Sequence, residues 1–243
     1  RAHIADPHIA RKVAEGREDE VRPCVGATYC LDRIYEGRGA TCIHNAATGR
    51  EASMPHTIPG TTGKQRHIVV VGAGPAGLEA SRVSAERGHR VTLLEAAPHA
   101  GGQVRLAAQV RRRSELIGIV DWRLAQLQRL GVEIRYNTYA EAGDIIALNP
   151  DVVIVATGGL PREDAIAEGA ELATSTWDVI SGDASVSLDV LLYDDNGAHP
   201  GMAATEVIMA KGAKLEVVTP ERMFAPEIGG LNLVPYIEKL QNH

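Results

Sequence analysis

The feature that most constrains the fold is a glycine-rich turn between an apolar strand and a helix. The segment VVVGAGPAGLEA places Gly72, Gly74 and Gly77 in the spacing G-x-G-x-x-G, directly after the β-rich run 67–71 and at the start of a predicted helix over 76–87. Gly72 allows the tight turn, Gly74 lets backbone approach a pyrophosphate, and Gly77 allows close packing of helix on strand. The spacing therefore predicts a dinucleotide-binding turn, in which phosphates meet free N–H groups at a helix start.

Glu95 narrows the kind of nucleotide that is expected. It ends the next predicted strand, 91–94, and stands 18 residues past Gly77, where an acidic side chain accepts hydrogen bonds from the adenosine ribose hydroxyls. Its charge would reject a 2′-phosphate. The predicted ligand is therefore FAD, NAD or ADP, and the alternative is a plain glycine-rich turn beside a surface glutamate.

Helix, glycine and strand alternate along the rest of the chain. The order helix, Gly, strand of 76–94 recurs over 127–137 and 208–219, and a further apolar strand at 151–156 runs into Thr157. Such alternation predicts right-handed βαβ units and parallel sheets. We therefore expect an α/β protein with a Rossmann-like, three-layer fold of the FAD/NAD(P)-binding kind and a second, incomplete nucleotide-fold domain.

The second nucleotide-fold copy lacks the phosphate turn. Residues 188–219 repeat the order of elements in 67–94, but the loop reads YDDNGAHPG, without G-x-G-x-x-G. Asp194 and Asp195 lie at the predicted strand end, where like charges about 4 Å from a pyrophosphate would cost roughly 1 to 4 kcal/mol. The sequence therefore predicts that no pyridine nucleotide binds there.

Composition excludes several classes of function. The 243 residues include 25 basic and 31 acidic ones, for a net charge of −6, with only 1 Phe, 2 Trp and 6 Tyr, which argues against a nucleic-acid partner. No apolar run reaches the roughly 18 residues of a membrane span. Three cysteines, all within the first 42 residues, are not a disulfide framework. We therefore expect a cytoplasmic protein with neither nucleic-acid nor membrane partners.

The cysteines lie in a segment without regular periodicity, 21–63. Cys24, Cys30 and Cys42 have the spacing C-x5-C-x11-C, among recurring Gly and Pro residues, so something other than an apolar core must order this segment. The spacing alone is a weak metal signature, because structural zinc and iron–sulfur sites usually have four ligands. On the residues alone, isolated thiols are the favoured interpretation.

Several motifs carry a family resemblance. The motifs around the turn are Pro75-Ala76-Gly77, Gly101-Gly102-Gln103 and Ala156-Thr157-Gly158-Gly159. Together they resemble the FAD-binding half of the glutathione-reductase-like flavoproteins. With IADPHIARKVAEGREDEVRPCVG and NAATGRE added, the whole chain resembles the C-terminal part of the iron–sulfur flavoproteins related to old yellow enzyme. That group includes trimethylamine, dimethylamine and histamine dehydrogenases, N-methylproline demethylases and 2,4-dienoyl-CoA reductase.

The resemblance implies a particular organisation. Such proteins combine an FMN-bearing β/α barrel, a [4Fe–4S] segment and two nucleotide-fold domains. By position, the chain divides into the last helix of an absent barrel (1–20), a cysteine-bearing linker (21–63), an FAD- or ADP-binding domain (64–184) and a truncated second nucleotide fold (185–243). The implied partners are the protein's own N-terminal FMN barrel and further copies of itself in a homo-oligomer.

The resemblance also assigns residue roles by position. Arg1 is similar to the arginine that holds the FMN phosphate, and Cys24, Cys30 and Cys42 resemble three of the four cluster ligands. Ala27 stands where the second cysteine is expected; its methyl group cannot coordinate iron, so another ligand, a three-iron cluster and loss of the cluster are all open. Besides Arg1, the expected cofactor-binding residues are Gly72, Gly74, Pro75, Ala76, Gly77, Glu95, Gly102, Gln103, Thr157 and Gly158. No catalytic residue is expected here, because the substrate pocket would lie in the barrel.

The group divides by electron partner, and this division gives the expected function. Its reductases take hydride from NADPH at the second nucleotide fold, whereas its amine dehydrogenases and demethylases pass electrons to a separate electron-transfer flavoprotein. The missing second turn favours the electron-transfer part of an enzyme that oxidises a small N-methylated amine, inactive as this chain alone. Two alternatives stay open: an NADPH-dependent enoyl- or dienoyl-CoA reductase, and a non-catalytic module with ADP as a permanent structural ligand.

Overall fold

The computed structural model describes residues 2–162 and 168–241. The chain groups into two compact units. The first unit is Arg1–Ala27, Gly39–Arg105 and Glu115–Gly159, and the second unit is Thr28–Arg38, Leu106–Ser114 and Leu160–His243. The four-segment division expected from the sequence stays a prediction, and Arg1, with its predicted FMN-phosphate role, lies outside the described residues.

The first unit is built on a parallel sheet. Its four strands are β1 (His67–Val71), β2 (Arg90–Leu94), β3 (Glu133–Arg135) and β4 (Val152–Val155), in the order β3-β2-β1-β4. All neighbouring pairs are parallel. This topology confirms the predicted α/β class and the Rossmann-like fold.

Helices connect and flank these strands. They are α1 (Ala2–Ala5), α2 (Ile9–Ala14), α3 (Tyr29–Tyr35), α4 (Pro75–Glu86), α5 (Gln103–Gln109), α6 (Gly118–Arg129), α7 (Ala142–Ala147), α8 (Thr176–Ser181), α9 (His199–Ala210) and α10 (Gly230–Gln241). Short 3-10 helices cover Glu18–Glu20, Arg111–Ile117 and Ala170–Leu172.

The β1-α4-β2 unit follows from local sequence. The β-branched run of β1 pairs with β2 so that Val70 lies opposite Leu93, and both are fully buried. Pro75 opens α4, where its missing N–H and fixed φ suit a first helical position. Gly88 follows α4 with a φ of +91°, a left-handed conformation that costs glycine little.

The core of the first unit lies where α4 and α6 pack on the sheet. It comprises Ile68, Val70, Ala73, Leu78, Val91, Leu93, Ala100, Val120 and Leu127. Because β1 is covered along its length by this packing, its carboxyl end is held at a fixed place, and the glycine turn begins there.

The second unit contains a shorter nucleotide-type fold. Strands β5 (Asp189–Tyr193) and β6 (Lys214–Val218) form a two-stranded parallel sheet, in which Tyr193 lies opposite Val218. Helix α9 connects them and buries most of its residues. The core around it comprises Val110, Ile180, Leu192, Ala203, Ala204 and Ile208. The second, smaller nucleotide fold predicted from the sequence is thus confirmed.

Among residues 2–162 and 168–241, none of the helices combines the length and the apolar composition that a membrane crossing requires.

Candidate functional site

The first turn, residues 72–77, lies between the end of β1 and the start of α4. Gly72 has a φ of +98°, and a Cβ there would come within 2.4 Å of the Ala156 carbonyl oxygen. A Cβ on Gly77 would lie 1.8 Å from the Gly72 carbonyl oxygen. Both positions therefore require glycine, because backbone atoms occupy the space of a side chain.

Gly74 differs from the other two glycines because it faces open space. No heavy atom lies within 4 Å of the position of a Cβ there. Pro75 and Ala76 follow at the start of α4 and are exposed. The first N–H groups of a helix have no partner inside it, and the positive end of the helix dipole attracts anions. The first turn can therefore receive phosphate groups.

Two other glycine segments converge on this turn. The Gly101 N–H donates to the Ala73 carbonyl oxygen at 2.8 Å, and a Cβ on Gly102 would come within 3.3 Å of the Gly74 Cα. The Gln103 side chain donates to the Gly159 carbonyl oxygen at 3.2 Å. The structure thus brings the predicted motifs together at one edge of the sheet.

The remaining residues predicted to bind the cofactor, Thr157 and Gly158, follow the carboxyl end of β4. The Thr157 Cα lies 3.1 Å from the position of a Cβ on Gly72. Thr157 and Gly158 are both exposed, and Gly158 has a φ of +74°. These residues are therefore open to a ligand beside the first turn.

Glu95 is held next to the first turn by two backbone N–H groups. One carboxylate oxygen accepts from the Ala73 N–H at 2.6 Å and the other from the Ala97 N–H at 2.8 Å. Hydrogen bonds to an ionised carboxylate are short and strong. Each oxygen keeps a second lone pair for a hydroxyl donor, so this geometry suits the predicted contact with ribose.

A group of buried and half-buried side chains on α4, on α6 and in the segment before β1 is not predicted by the sequence. This arginine cluster consists of Arg22, Glu79, Arg82, Trp122 and Arg123. Glu79 accepts from the Arg82 Nη2 at 2.6 Å and from the Arg123 Nε at 2.8 Å. The Arg22 guanidinium lies 4.3 Å from the centre of the Trp122 ring, within cation–π distance.

Burial and charge act in opposite directions on these groups. Burial raises the pKa of Glu79, but the hydrogen bonds and charges of Arg82 and Arg123 outweigh it, so the pKa falls to about 2. Burial, together with the positive charge of Arg82, lowers the pKa of Arg22 to about 10. Glu79 therefore stays ionised, as the counter-charge of the cluster.

The arginine cluster also orders the irregular segment that precedes β1. Arg123 donates to the His44 carbonyl oxygen at 3.2 Å, and Trp122 donates to the Glu20 carbonyl oxygen at 3.1 Å. The His44 ring in turn contacts the Pro23 carbonyl oxygen at 3.0 Å. Hydrogen bonds from buried side chains, rather than an apolar core, thus hold this segment. Charged residues on a helix usually indicate a solvated face, whereas Arg82 and Arg123 are buried.

The cysteine residues are free thiols. Cys24 is exposed, whereas Cys30 and Cys42 are half-buried. Over the described parts of the chain, no group of three or more His, Cys, Asp or Glu side chains is placed to hold a metal ion. These three thiols, with the methyl group of Ala27 at the fourth position, are one ligand short of the four that a [4Fe–4S] cluster takes. Cluster ligation by the three cysteines stays a prediction.

The second turn, residues 194–201, is filled by a carboxylate. Asp194 is 7% exposed, and one of its oxygens accepts from the Asn196 and Gly197 N–H groups at 3.2 and 3.1 Å. A Cβ on Gly201, in the first turn of α9, would come within 2.7 Å of the Asp194 carboxyl carbon. The side chain of Asp194 therefore lies between the strand end and the helix.

Charged groups of the second unit also surround α9. Glu206 is paired with Arg112 at 3.6 Å and with Lys239 at 3.5 Å. His199 begins α9, and burial lowers its pKa to about 4, with the charges of Arg113 and Arg112 acting in the same direction. His199 is therefore neutral near pH 7.

Comparison with known proteins gives relatives that are named as demethylases. The chain is 57% identical over 241 residues, or 99% of its length, to a probable N-methylproline demethylase of Rhizobium meliloti. It is 47% identical over 230 residues, or 95% of its length, to a multifunctional alkene reductase/demethylase of Caballeronia cordobensis. The chain spans about a third of the length of these relatives, 35% and 33% respectively.

A solved structure matches along the whole chain. The 6-hydroxypseudooxynicotine amine oxidase of Pseudomonas geniculata is 26% identical, with a TM-score of 0.93; the match covers 100% of this chain and 38% of that one. These similarities confirm the resemblance that the sequence motifs indicate.

A family model described as pyridine nucleotide-disulphide oxidoreductase matches residues 35–191. The matched range contains the first turn, Glu95 and the strands of the first sheet. The chain therefore belongs to the pyridine nucleotide-disulphide oxidoreductase family.

Proposed function

We propose that this chain is the nucleotide-binding part of a flavin-dependent oxidoreductase that oxidises a small N-methylated amine. The observation that carries the proposal is the contrast between the two turns: the first is open at Gly74, and the second is filled by Asp194. An enzyme with only the first site has a bound nucleotide but no place for NADPH as electron donor. The names of a demethylase and of an amine oxidase among its relatives support this choice.

The nucleotide proposed at the first turn is FAD or ADP. Gly74 leaves room for a pyrophosphate against the backbone, since a Cβ there would meet nothing within 4 Å. Gly72 and Gly102 bring the neighbouring backbone close to it. Bound FAD would supply electron transfer, whereas bound ADP would have a structural role only. Pro75, Ala76, Gln103, Thr157 and Gly158 form the rest of the proposed site.

Glu95 is proposed to select against a 2′-phosphate. Its carboxylate is fixed by the Ala73 and Ala97 N–H groups at 2.6 and 2.8 Å, so it cannot easily turn away from a ligand. A fixed negative charge accepts the two ribose hydroxyls and repels a phosphate in the same place. The site therefore favours an unphosphorylated adenosine over NADP.

The remainder of the enzyme lies in the part of the relatives' length that this chain does not span. We propose that this part includes an FMN-bearing β/α barrel with the amine pocket and the catalytic residues, and that electrons leave to an electron-transfer flavoprotein. A homo-oligomer is implied by the family resemblance alone. The cysteine usage supports a cytoplasmic location.

The test is anaerobic reduction of the full-length protein. Mixing with N-methylated amines, N-methylproline first, should bleach the flavin absorbance rapidly and stoichiometrically, while NADPH should not. Bleaching by NADPH with none by any amine would instead establish the alkene-reductase activity that one relative's name contains. Extraction of the bound nucleotides distinguishes the third possibility: FMN with ADP, rather than FMN with FAD, identifies the first turn as a structural site.

A further inference from the structure

We propose that Asp194 closes the second nucleotide fold: its carboxylate is a built-in anion that takes the place of a pyrophosphate at the second turn. This inference rests on the proposed function in one respect, because it treats the first turn as the working nucleotide site with which the second is compared. It goes beyond the proposed function because it assigns the exclusion of a pyridine nucleotide from the second turn to one residue.

The two turns are versions of the same construction. Gly72 is the first residue after β1, and Asp194 is the first residue after β5. The N–H of each donates at 2.8 Å to the last residue of the neighbouring strand. Gly77 and Gly201 are each the third residue of the following helix. Asp194 therefore occupies the position of Gly72.

The connection differs in length and in what the helix packs on. Three residues separate β1 from α4, whereas five separate β5 from α9. In the first turn the helix glycine packs on the backbone oxygen of Gly72. In the second turn a Cβ on Gly201 would come within 2.7 to 2.9 Å of three atoms of the Asp194 carboxyl group. The side chain thus fills the space that the longer loop opens.

The electrostatic setting of Asp194 is that of a bound anion. The residue is 7% exposed, and a carboxylate so buried needs hydrogen-bond donors. It receives them from the Asn196 and Gly197 N–H groups at 3.2 and 3.1 Å, and it lies against the first turn of α9, whose dipole favours negative charge. Backbone N–H groups at a turn and a helix start are the donors that bind phosphates in open sites. Here the chain's own carboxylate already uses them.

A second contact limits the size of any ligand. Gly197 has a φ of +64°, and a Cβ there would come within 2.8 Å of the Pro226 ring. Gly74, by contrast, has nothing within that range. A test of Asp194 therefore uses a small probe, inorganic pyrophosphate, beside a large one, NADH.

The experiment uses the full-length protein with its first turn saturated with ADP. Pyrophosphate and NADH are titrated by calorimetry into the wild type, Asp194→Asn and Asp195→Asn. The amide of Asp194→Asn keeps an oxygen for the two N–H groups and loses only the charge, so both probes should bind about tenfold more tightly than to the wild type because the charge repulsion is removed. Asp195→Asn removes the same charge from the exposed neighbouring residue and should leave binding unchanged.

The outcomes separate this inference from the proposed function. Equal binding of both probes to the wild type and to Asp194→Asn, or an equal gain with Asp195→Asn, would overturn the role of Asp194. A gain for pyrophosphate alone supports it, with the Pro226 contact excluding NADH. Amine oxidation is assayed on the same samples, and its absence counts against the proposed function without changing the comparison of variants.

A second variant of Asp194 keeps the test decisive if Asp194→Asn does not fold. Asp194→Gly copies the residue at position 72 and removes the carboxylate completely. Thermal unfolding with and without pyrophosphate gives an independent measurement, because a ligand that binds the folded state raises the unfolding temperature. A rise in either Asp194 variant, absent in the wild type, supports the inference. If neither variant folds, the carboxylate is a packing requirement and the inference fails.

Discussion

The first and second turns share one construction and differ in whether their N–H groups are free. Gly72 and Asp194 each follow a strand and donate to the neighbouring strand at 2.8 Å. Where that residue is glycine, the helix packs on its backbone oxygen and the turn stays open at Gly74. Where it is aspartate, the helix packs on its carboxylate, and the turn's N–H groups are already used. The two turns therefore share the strand-to-helix plan and differ in loop length and in the side chain at the first position after the strand.

The crossover helices of the two units show a related contrast. Glu79 on α4 is bonded to two buried arginines, Arg82 and Arg123, at 2.6 and 2.8 Å. Glu206 on α9 contacts the more exposed Arg112 and Lys239 at 3.6 and 3.5 Å. The ion pairs of Glu79 on α4 are thus shorter and more buried than those of Glu206 on α9.

The largest expected effect is at the helix glycines. Gly77→Ala should abolish nucleotide binding and lower the free energy of unfolding by about 2 to 3 kcal/mol, because its Cβ meets a backbone oxygen that cannot move aside. Gly201→Ala should also lower the stability of the protein, because its Cβ meets the Asp194 side chain. Adding Asp194→Gly to this variant should restore the lost stability. Urea unfolding of the single and double variants measures this coupling. If Gly201→Ala lowers the free energy of unfolding by the same amount with and without Asp194→Gly, the helix of the second turn does not pack on the Asp194 side chain.

The next effect concerns the two helix carboxylates. Glu79→Gln should cost about 3 kcal/mol, because it leaves buried Arg123 without the Glu79 carboxylate and leaves Arg82 with Glu86 as its carboxylate partner. Glu206→Gln should cost about 1 kcal/mol or less. Because the pKa of Glu79 is lowered to about 2, its contribution is complete above its unfolded pKa of about 4.3 and is lost as the pH falls through about 2. Denaturant titrations at pH 7 and pH 3 check both points, and equal losses for the two variants at pH 7 would remove the contrast.

A smaller effect should appear at Glu95, the residue proposed to select the nucleotide at the first turn. Glu95→Gln should weaken ADP binding about tenfold, because a hydrogen bond to a charged acceptor is lost. Glu95→Arg should reverse the preference against a 2′-phosphate, so that NADP binds more tightly than NAD. Calorimetry on the full-length protein measures both, with Glu133→Gln, an exposed carboxylate at the opposite end of the sheet, as matched control. Equal wild-type affinity for NADP and NAD would contradict the assignment.

The smallest effect is a pH dependence that arises at the second turn. Unfolded histidine takes up a proton near pH 6.5, whereas His199 in the folded protein does so near pH 4. Between these values the unfolded state binds more protons, so stability falls as the pH decreases from about 6.5 to about 4. His199→Gln should make this slope shallower, and the exposed His3→Gln should not. Thermal unfolding across this pH range gives the measurement; an unchanged slope in His199→Gln would show that the histidine is not held neutral.

Much of the fold and of the first turn can be predicted from the sequence because their signals are local. The run of β-branched residues in β1, the spacing of Gly72, Gly74 and Gly77, and the stop at Gly88 lie within a few turns of one another. Parallel pairing of the strands then follows, because a helix that connects two neighbouring strands returns the chain to the same end of the sheet, in a right-handed crossover. Glu95 is predictable in the same way, since the next strand must end beside the turn.

The buried charges could not be predicted because they depend on distant partners. Glu79 and Arg123 are 44 residues apart, and the contact between Arg123 and the His44 carbonyl oxygen spans 79 residues. From the sequence each looks like part of a solvated helix face. Only the packing of α4 against α6 shows that these side chains are desolvated together.

The sequence by itself determined the glycine spacing of the first turn and the lack of a glycine motif in the second fold, because these features depend on residue type at short spacing. It predicts a preference for an unphosphorylated adenosine at the first turn. It also indicated that Asp194 stands at a strand end. Only the tertiary structure decided that this carboxylate points inward, lies against the first turn of α9 and accepts the turn's own N–H groups. The physical reason is that burial, which no local pattern specifies, makes a carboxylate seek the same donors that would otherwise bind a phosphate.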